Sequence, residues 1–148
     1  MPSLSEFSRR IALRGQKVAE GADALTRRVA LAADQAVVMG TPVDTGRARS
    51  NWIAQIGSAP DTVIDAYVPG SLGDTEAANT QAALDQAEAV IKNYKGGQEI
   101  HITNNLPYIQ RLNDGWSSQA PANFVEQGVM EALQVVYFGR IVDGDPGS

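Results

Sequence analysis

The chain contains no cysteine and a single histidine, His101. Without thiols there is no disulfide, no thiolate metal site and no cysteine nucleophile. One imidazole also falls short of the three or four convergent ligands of a zinc centre. No run approaches the ~20 apolar residues of a membrane span. The segment MPSLSEFSRRIALRG lacks the continuous apolar core and small-residue cleavage site of a signal peptide. The expectation is therefore a protein made and kept in the cytoplasm of its host. Basic residues are missing between positions 50 and 91, where Asp61, Asp65, Asp74, Glu76, Asp85 and Glu88 stand alone. Residues 1–40 have six Arg and Lys against four acids, a balance of +2, and the remainder has six against thirteen, a balance of −7. That split lacks the broad basic face of a DNA-reading domain. It suits copies that pair basic with acidic surfaces, or a passage that DNA slides through, although two ordinary solvated faces would give the same pattern.

What is present fits one folded unit. The 148 residues are 43% hydrophobic and 20% charged, enough for a single core and too short for two ordinary domains. One α+β domain over residues 1–142 is expected, followed by a polar flexible tail at 143–148. Ser3-x-x-Glu6 is a capping box, and behind it Leu4, Phe7, Ile11, Val18, Ala22, Leu25, Val29, Ala36 and Val37 recur at helical spacings. Gly40-Thr41-Pro42 stops the pattern. Unless Gly15 or Gly21 breaks it, a helix over 3–39 is roughly 50 Å long, against about 30 Å for a compact domain of this size. Part of it must project, and a projecting apolar stripe asks for another chain to cover it.

Beyond the helix, period-two alternation predicts strands at Arg49–Gly57 and Gln98–Thr103, and a short one at Thr62–Val68. A helix over 75–94 should bury Ala77, Leu84, Ala87, Ile91 and Tyr94. Pro107 opens a short helix through Leu112 that ends at Asp114-Gly115. Pro121 opens a last helix, to about residue 138, on a stripe of Val125, Val129, Ala132, Leu133 and Val136. The expected order is α-β-β-α-β-α-α: a long N-terminal helix and further helices packed on a small, mostly antiparallel sheet.

Asp44-Thr45-Gly46 matches the catalytic loop of aspartic proteases, whose chemistry needs two carboxylates that share a proton. A single copy could supply them only across a symmetric dimer. Arg47 and Arg49 nearby would hold Asp44 ionised, and the helix-rich order is wrong for such an enzyme. A tight turn, with Asp44 capping it and Gly46 at positive φ, is the simpler reading. His101 lies on the polar side of its strand, two residues from Glu99, as an ordinary exposed histidine does. Gly70-Ser71-Leu72-Gly73 has no following lysine and is no phosphate cradle. The acids at 61–88 lack the spacing of a calcium loop. No catalytic residue, metal or cofactor is assigned, and the chain is expected not to be an enzyme.

Two blocks remain that are too specific for filler: TPVDTGRARSNW, and some fifty residues later ITNNLPYIQRLNDGWSSQAPANF. Together they resemble the tailed-phage neck and tail-completion family, which includes the minor tail protein Z of lambdoid phages. The resemblance covers about residues 1–137. It rests on a long N-terminal helix, then Pro42, Asp44, Thr45, Gly46, Arg47 and Trp52, then Asn104, Pro107, Tyr108, Leu112 and Gly115, and finally Gln119 and Pro121 before the last helix. Asn113–Asp114 and Trp116 depart from it, standing where relatives often carry a Glu-x-Gly-Thr/Ser pattern.

The resemblance implies a virion protein of the head–tail junction. It would form a ring, about six copies in cyclic symmetry, that joins head-closure or adaptor proteins to the tail tube or its terminator. DNA would pass through the lumen without specific binding. The alternatives are a tail terminator ring capping the tube, or an assembly chaperone absent from the mature particle. In either ring, Arg47 and Arg49 could reach acids on a neighbour. The charge split predicts that Arg9, Arg10 and Arg14 meet Asp61, Asp65 and Asp74 of an adjacent copy.

Overall fold

Neither Gly15 nor Gly21 breaks the first helix. In the computed structural model, which describes residues 4–42, 46–115 and 122–142 (side chains apart from those of 4, 5, 7, 15, 16, 18, 19 and 137–142), α1 runs without interruption over Leu4–Gly40. Its 37 residues make a rod of about 55 Å. Every described side chain from Glu6 to Glu20 is exposed, Ile11 and Leu13 among them, and burial begins only at Gly21. From there Asp34, Val37 and Val38 are buried, with Arg27, Ala30 and Leu31 half-buried on the same face. Ala22, placed on the stripe by spacing, is exposed.

Two helices flank the packed half of α1, each antiparallel to it. α3, Glu76–Ile91, ends beside the middle of α1, where Arg27 Nη1 donates to the Tyr94 carbonyl at 2.7 Å. α5, Phe124–Val142, starts with Phe124 against Gly40 and lays Gly128 on Ala36, where an added Cβ would stand 3.3 Å from the alanine methyl. Glycine at 128 is what lets the two helices come this close. Ala132 and Val136 are buried and Val125 and Val129 half-buried, as the spacing predicts, but Leu133 faces solvent and Phe124 takes an unpredicted core position.

The sheet has two strands. β1, Ile53–Ile56, pairs antiparallel with β2, Ile100–Thr103, in the register Ile53↔Thr103 to Ile56↔Ile100. The other edge of β1 is covered by a side chain rather than a strand. Gln86 of α3 donates Nε2–H to the Ala54 carbonyl at 2.9 Å and accepts the Ala54 N–H at 3.0 Å. The amide thereby supplies the donor–acceptor pair a third strand would have offered. Val37, Val38, Trp52 and Ala83 form one core cluster, and Ala54, Ala87 and Ile91 a second, with Ile102 touching both.

The architecture is α+β, as the sequence predicts, but the order is α-α-β-α-β-α-α. Arg49–Asn51 is not strand: α2, Arg47–Ser50, is one helical turn, closed by the Ser50 N–H on the Gly46 carbonyl at 3.1 Å. Thr62–Val68 is not strand either, because its backbone groups bond to asparagine and serine side chains. α3 buries Asn79, Ala83, Ala87 and Ile91, a strict four-residue row, while Ala77 is exposed and Leu84 half-buried. The short helix, α4, is Ile109–Asn113. The predicted tail at 143–148 lies outside the described residues.

Candidate functional site

A helix as long as α1 leaves carbonyls unpaired at its C-terminus, and its last turn holds no basic residue to meet them. Arg49 does so from the next element. Its Nη2 donates to the Met39 carbonyl at 3.0 Å and its Nε to the Thr41 carbonyl at 2.9 Å. Its Nη1 reaches the first turns of α3, at Thr80 Oγ1 and Glu76 Oε1, both 2.9 Å. One planar guanidinium thus ties the end of α1 to the start of α3. Beside it Trp52, 7% exposed, donates its indole N–H to Thr41 Oγ1 at 2.8 Å, and the Thr41 hydroxyl donates to the Val37 carbonyl at 2.6 Å.

The second layer of the joint is built on amides. Asn79, fully buried, donates to the Val68 carbonyl at 2.8 Å and to Thr75 O and Oγ1 at 3.0 and 2.9 Å. Its Oδ1 accepts from Val68 N at 2.8 Å and Ser50 Oγ at 3.1 Å. Gly46, at φ 86°, lies against this amide, and any Cβ there would collide with it. Asn51 holds Ile64 by both backbone groups, each at 2.8 Å, and Arg47 Nε reaches the Ile64 carbonyl at 3.4 Å.

The second sequence block packs onto the first. Asn104 Nδ2 donates to the Ala48 carbonyl at 2.9 Å, Ile109 packs on the cluster that holds Trp52, and Thr103 pairs with Ile53. Burial pushes the Tyr108 phenol up, while the Arg47 guanidinium near it pulls the other way. Asn113 accepts the Val125 N–H at 3.0 Å and donates to the Glu126 carboxylate at 3.1 Å, fixing the start of α5. Gly115 takes φ 91° against Ala122. Pro107 is exposed and Leu112 half-buried.

The structure therefore brings together Gly46, Arg47, Arg49, Trp52, Asn104 and Tyr108, with Pro42 half-buried at the margin. Asp44, Thr45, Gln119 and Pro121 lie outside the described residues. Arg9, Arg10 and Arg14 are exposed on the projecting half of α1. Asp61, Asp65 and Asp74 are exposed far along the chain, and Asp74 Oδ1 accepts the Ser71 N–H at 2.7 Å. One expectation is corrected: Arg49 does not reach out to a neighbour. It is 9% exposed and its donors bond within its own chain. Thr41, Asn51, Asn79 and Gln86 were not singled out by sequence, and the asparagines are among the most fully buried side chains.

One buried group stands apart. Asp34, 1% exposed, carries an Oδ1 with no partner, and burial raises its carboxyl from 3.8 to about 7. Its charge and burial together raise the Tyr67 phenol, burial more. His101 bonds Glu99 at 3.0 Å on the surface. Among the described residues no three His, Asp or Glu side chains are grouped to hold a metal ion, and no helix is long and apolar enough to cross a membrane. What the cluster does chemically is fix angles between elements, with its donors and acceptors matched inside one chain. No protein-family model, no curated protein and no solved structure matches this chain.

Proposed function

We propose that the chain is a structural component of a tailed-phage head–tail junction. It assembles as a ring of about six copies, between head-closure proteins and the tail tube or its terminator, and works by interface matching rather than catalysis. The observation that carries this reading is the meeting of the two sequence blocks on which the family resemblance rests. They are separated by some fifty residues of chain, yet they share one joint: Asn104 bonds the Ala48 carbonyl, Ile109 packs on the cluster that holds Trp52, and Thr103 pairs with Ile53, the residue after the first block. A joint whose polar groups are satisfied internally suits a part that must hold a fixed shape. The exposed half of α1, with Ile11 and Leu13 in water at 56% and 51%, suits a part whose surface is completed by another chain.

The test is the absolute mass of the purified protein by light scattering, with negative-stain images of the same peak. A closed ring with a central hole is the expected result. A stable dimer with no ring would overturn the reading and make Asp44→Asn the next variant to examine. Recovery of the chain in finished particles separates a ring component from an assembly chaperone.

A further inference from the structure

The sheet is closed on one side only. Ala54 turns its N–H and C=O towards Gln86, so its cross-strand partner Ile102 forms a wide pair and turns its own N–H and C=O the other way. Ile100 does the same by the two-residue period, and the bond from Gly57 N to the Glu99 carbonyl at 2.8 Å keeps that phase. Among the described residues no hydrogen bond reaches the backbone of Ile100 or Ile102 from outside the sheet. This bare edge lines a cleft of about 310 Å³ with Thr26, Val29, Ala30 and Tyr94.

A second bare edge lies elsewhere on the same chain. The carbonyls of Pro60 and Thr62 accept from Asn105 Nδ2 at 2.7 and 3.3 Å, and Ile64 is held by Asn51 through both backbone groups. The backbone groups of the even-numbered residues therefore point inward, the alternation of an extended strand. The backbones of Asp61, Val63 and Asp65 face out, with all three side chains exposed and Val63 at 43%. Asn51 and Asn105 pin this segment beside the start of β1, so it cannot fold over onto its own β2.

We infer that residues 61–65 of one copy add as a third strand to the β2 edge of a second copy. This rests on the ring reading and gives it a contact. Main-chain bonds from Ile100 and Ile102 would meet those of the incoming strand, and Val63 would enter the apolar cleft. Charge favours this pairing over edge-to-edge contact of like segments. Arg27, Arg28 and Lys95 adjoin the cleft residues in sequence, against Asp23 and Glu99, whereas 61–65 has two acids and no base. Because the two edges are different patches, the contact is head-to-tail, the kind that closes into a ring when its rotation allows.

The absence of cysteine makes engineered thiols unique reporters. Thr26→Cys and Val63→Cys, both at exposed positions, are prepared separately in the full chain, mixed, and oxidised mildly while light scattering records the mass. A disulfide joining the two variants, in large excess over either like-with-like product, is expected. Val63→Pro, which removes an outward N–H from an already extended segment, should abolish the assembly with unchanged far-ultraviolet circular dichroism. Rings that form without the mixed disulfide, or that survive Val63→Pro, overturn this contact and leave the ring reading standing. The mixed disulfide in open chains with no ring keeps the contact and overturns the ring. A monomer that forms no mixed disulfide at high concentration overturns the contact.

Discussion

The Trp52 indole N–H points at the Thr41 hydroxyl oxygen, 2.8 Å away, while that hydroxyl donates its own proton to the Val37 carbonyl at 2.6 Å. A single Thr side chain thus satisfies a buried indole and an orphan carbonyl of α1. Thr41→Val keeps the shape and removes both bonds. It should cost about 1–3 kcal/mol, the penalty for buried groups left unpaired, and lower the melting temperature by roughly 2–4 °C per kcal/mol. Thr41→Ser should lose far less. Thermal unfolding followed by tryptophan fluorescence distinguishes them, and equal midpoints for the two variants would refute the assignment.

Arg49 and Glu76 form an ion pair of very unequal partners. The Arg49 side chain is 11% exposed and that of Glu76 54%. Glu76→Gln should cost under about 1 kcal/mol, as water screens an exposed partner. Arg49→Met strips both Met39 and Thr41 carbonyls of their donor and should cost about 2–4 kcal/mol. Arg49→Lys should recover only part, since an ammonium lacks the planar fork. Urea titration of the three variants gives the order; a Glu76 effect as large as that of Arg49 would contradict it.

Gly46 and Asn79 are locked in shape. Gly46→Ala combines a left-handed φ with a Cβ inside the Asn79 amide. A loss well above the roughly 1–2 kcal/mol of the backbone term alone is expected. In an Asn79→Ala background the clash is gone, and the further cost of Gly46→Ala should shrink to that backbone term. A double-mutant cycle reads this coupling directly, and strict additivity would rule it out.

Asp34 gives stability a pH dependence of unusual sign. Its folded carboxyl, near 7, lies above the ordinary 3.8, so between these values the folded state holds a proton that the unfolded chain has released. Stability from this group is complete below about pH 4, falls as pH rises, and is gone above about pH 7. Asp34→Asn should flatten the slope, with the wild-type chain weaker at pH 8 than at pH 5 by up to about 2.6 kcal/mol and the variant nearly level. Urea midpoints at the two pH values provide the check, and an unchanged slope in Asp34→Asn would exclude this origin.

The extent of α1 was readable from its apolar spacing and from Gly40-Thr41-Pro42, and β2 from the alternation in QEIHIT, since each pattern reports on its own backbone. The joint was much less legible. Thr62–Val68 alternates like a strand and is extended around Ile64, but its partners are side chains, and Asn51 does not announce in sequence which backbone it will bond. Arg49 looks like any surface base after a turn; the clue was a long helix with no base in its last turn. In α3 the spacing picked out Ala87 and Ile91 but not Asn79 and Ala83, which complete the buried row, because a polar amide and a small alanine do not stand out beside Leu84. Of the candidate site, the glycine turn at Gly46 was legible, while the asparagine lattice that holds it was not.

The α1 rod is gripped at only one end. Its described side chains before Gly21 are exposed, so the pose of the free end is set by how residues 21–40 seat between α3, α5 and the joint of Arg49, Thr41 and Trp52. A tilt of about 5° in that seat would swing the tip, about 25 Å beyond it, through about 2 Å. The close-tolerance fit around a few buried hydrogen bonds therefore works like the fixed bearing of a pointer, and a substitution there would mis-aim residues it never touches.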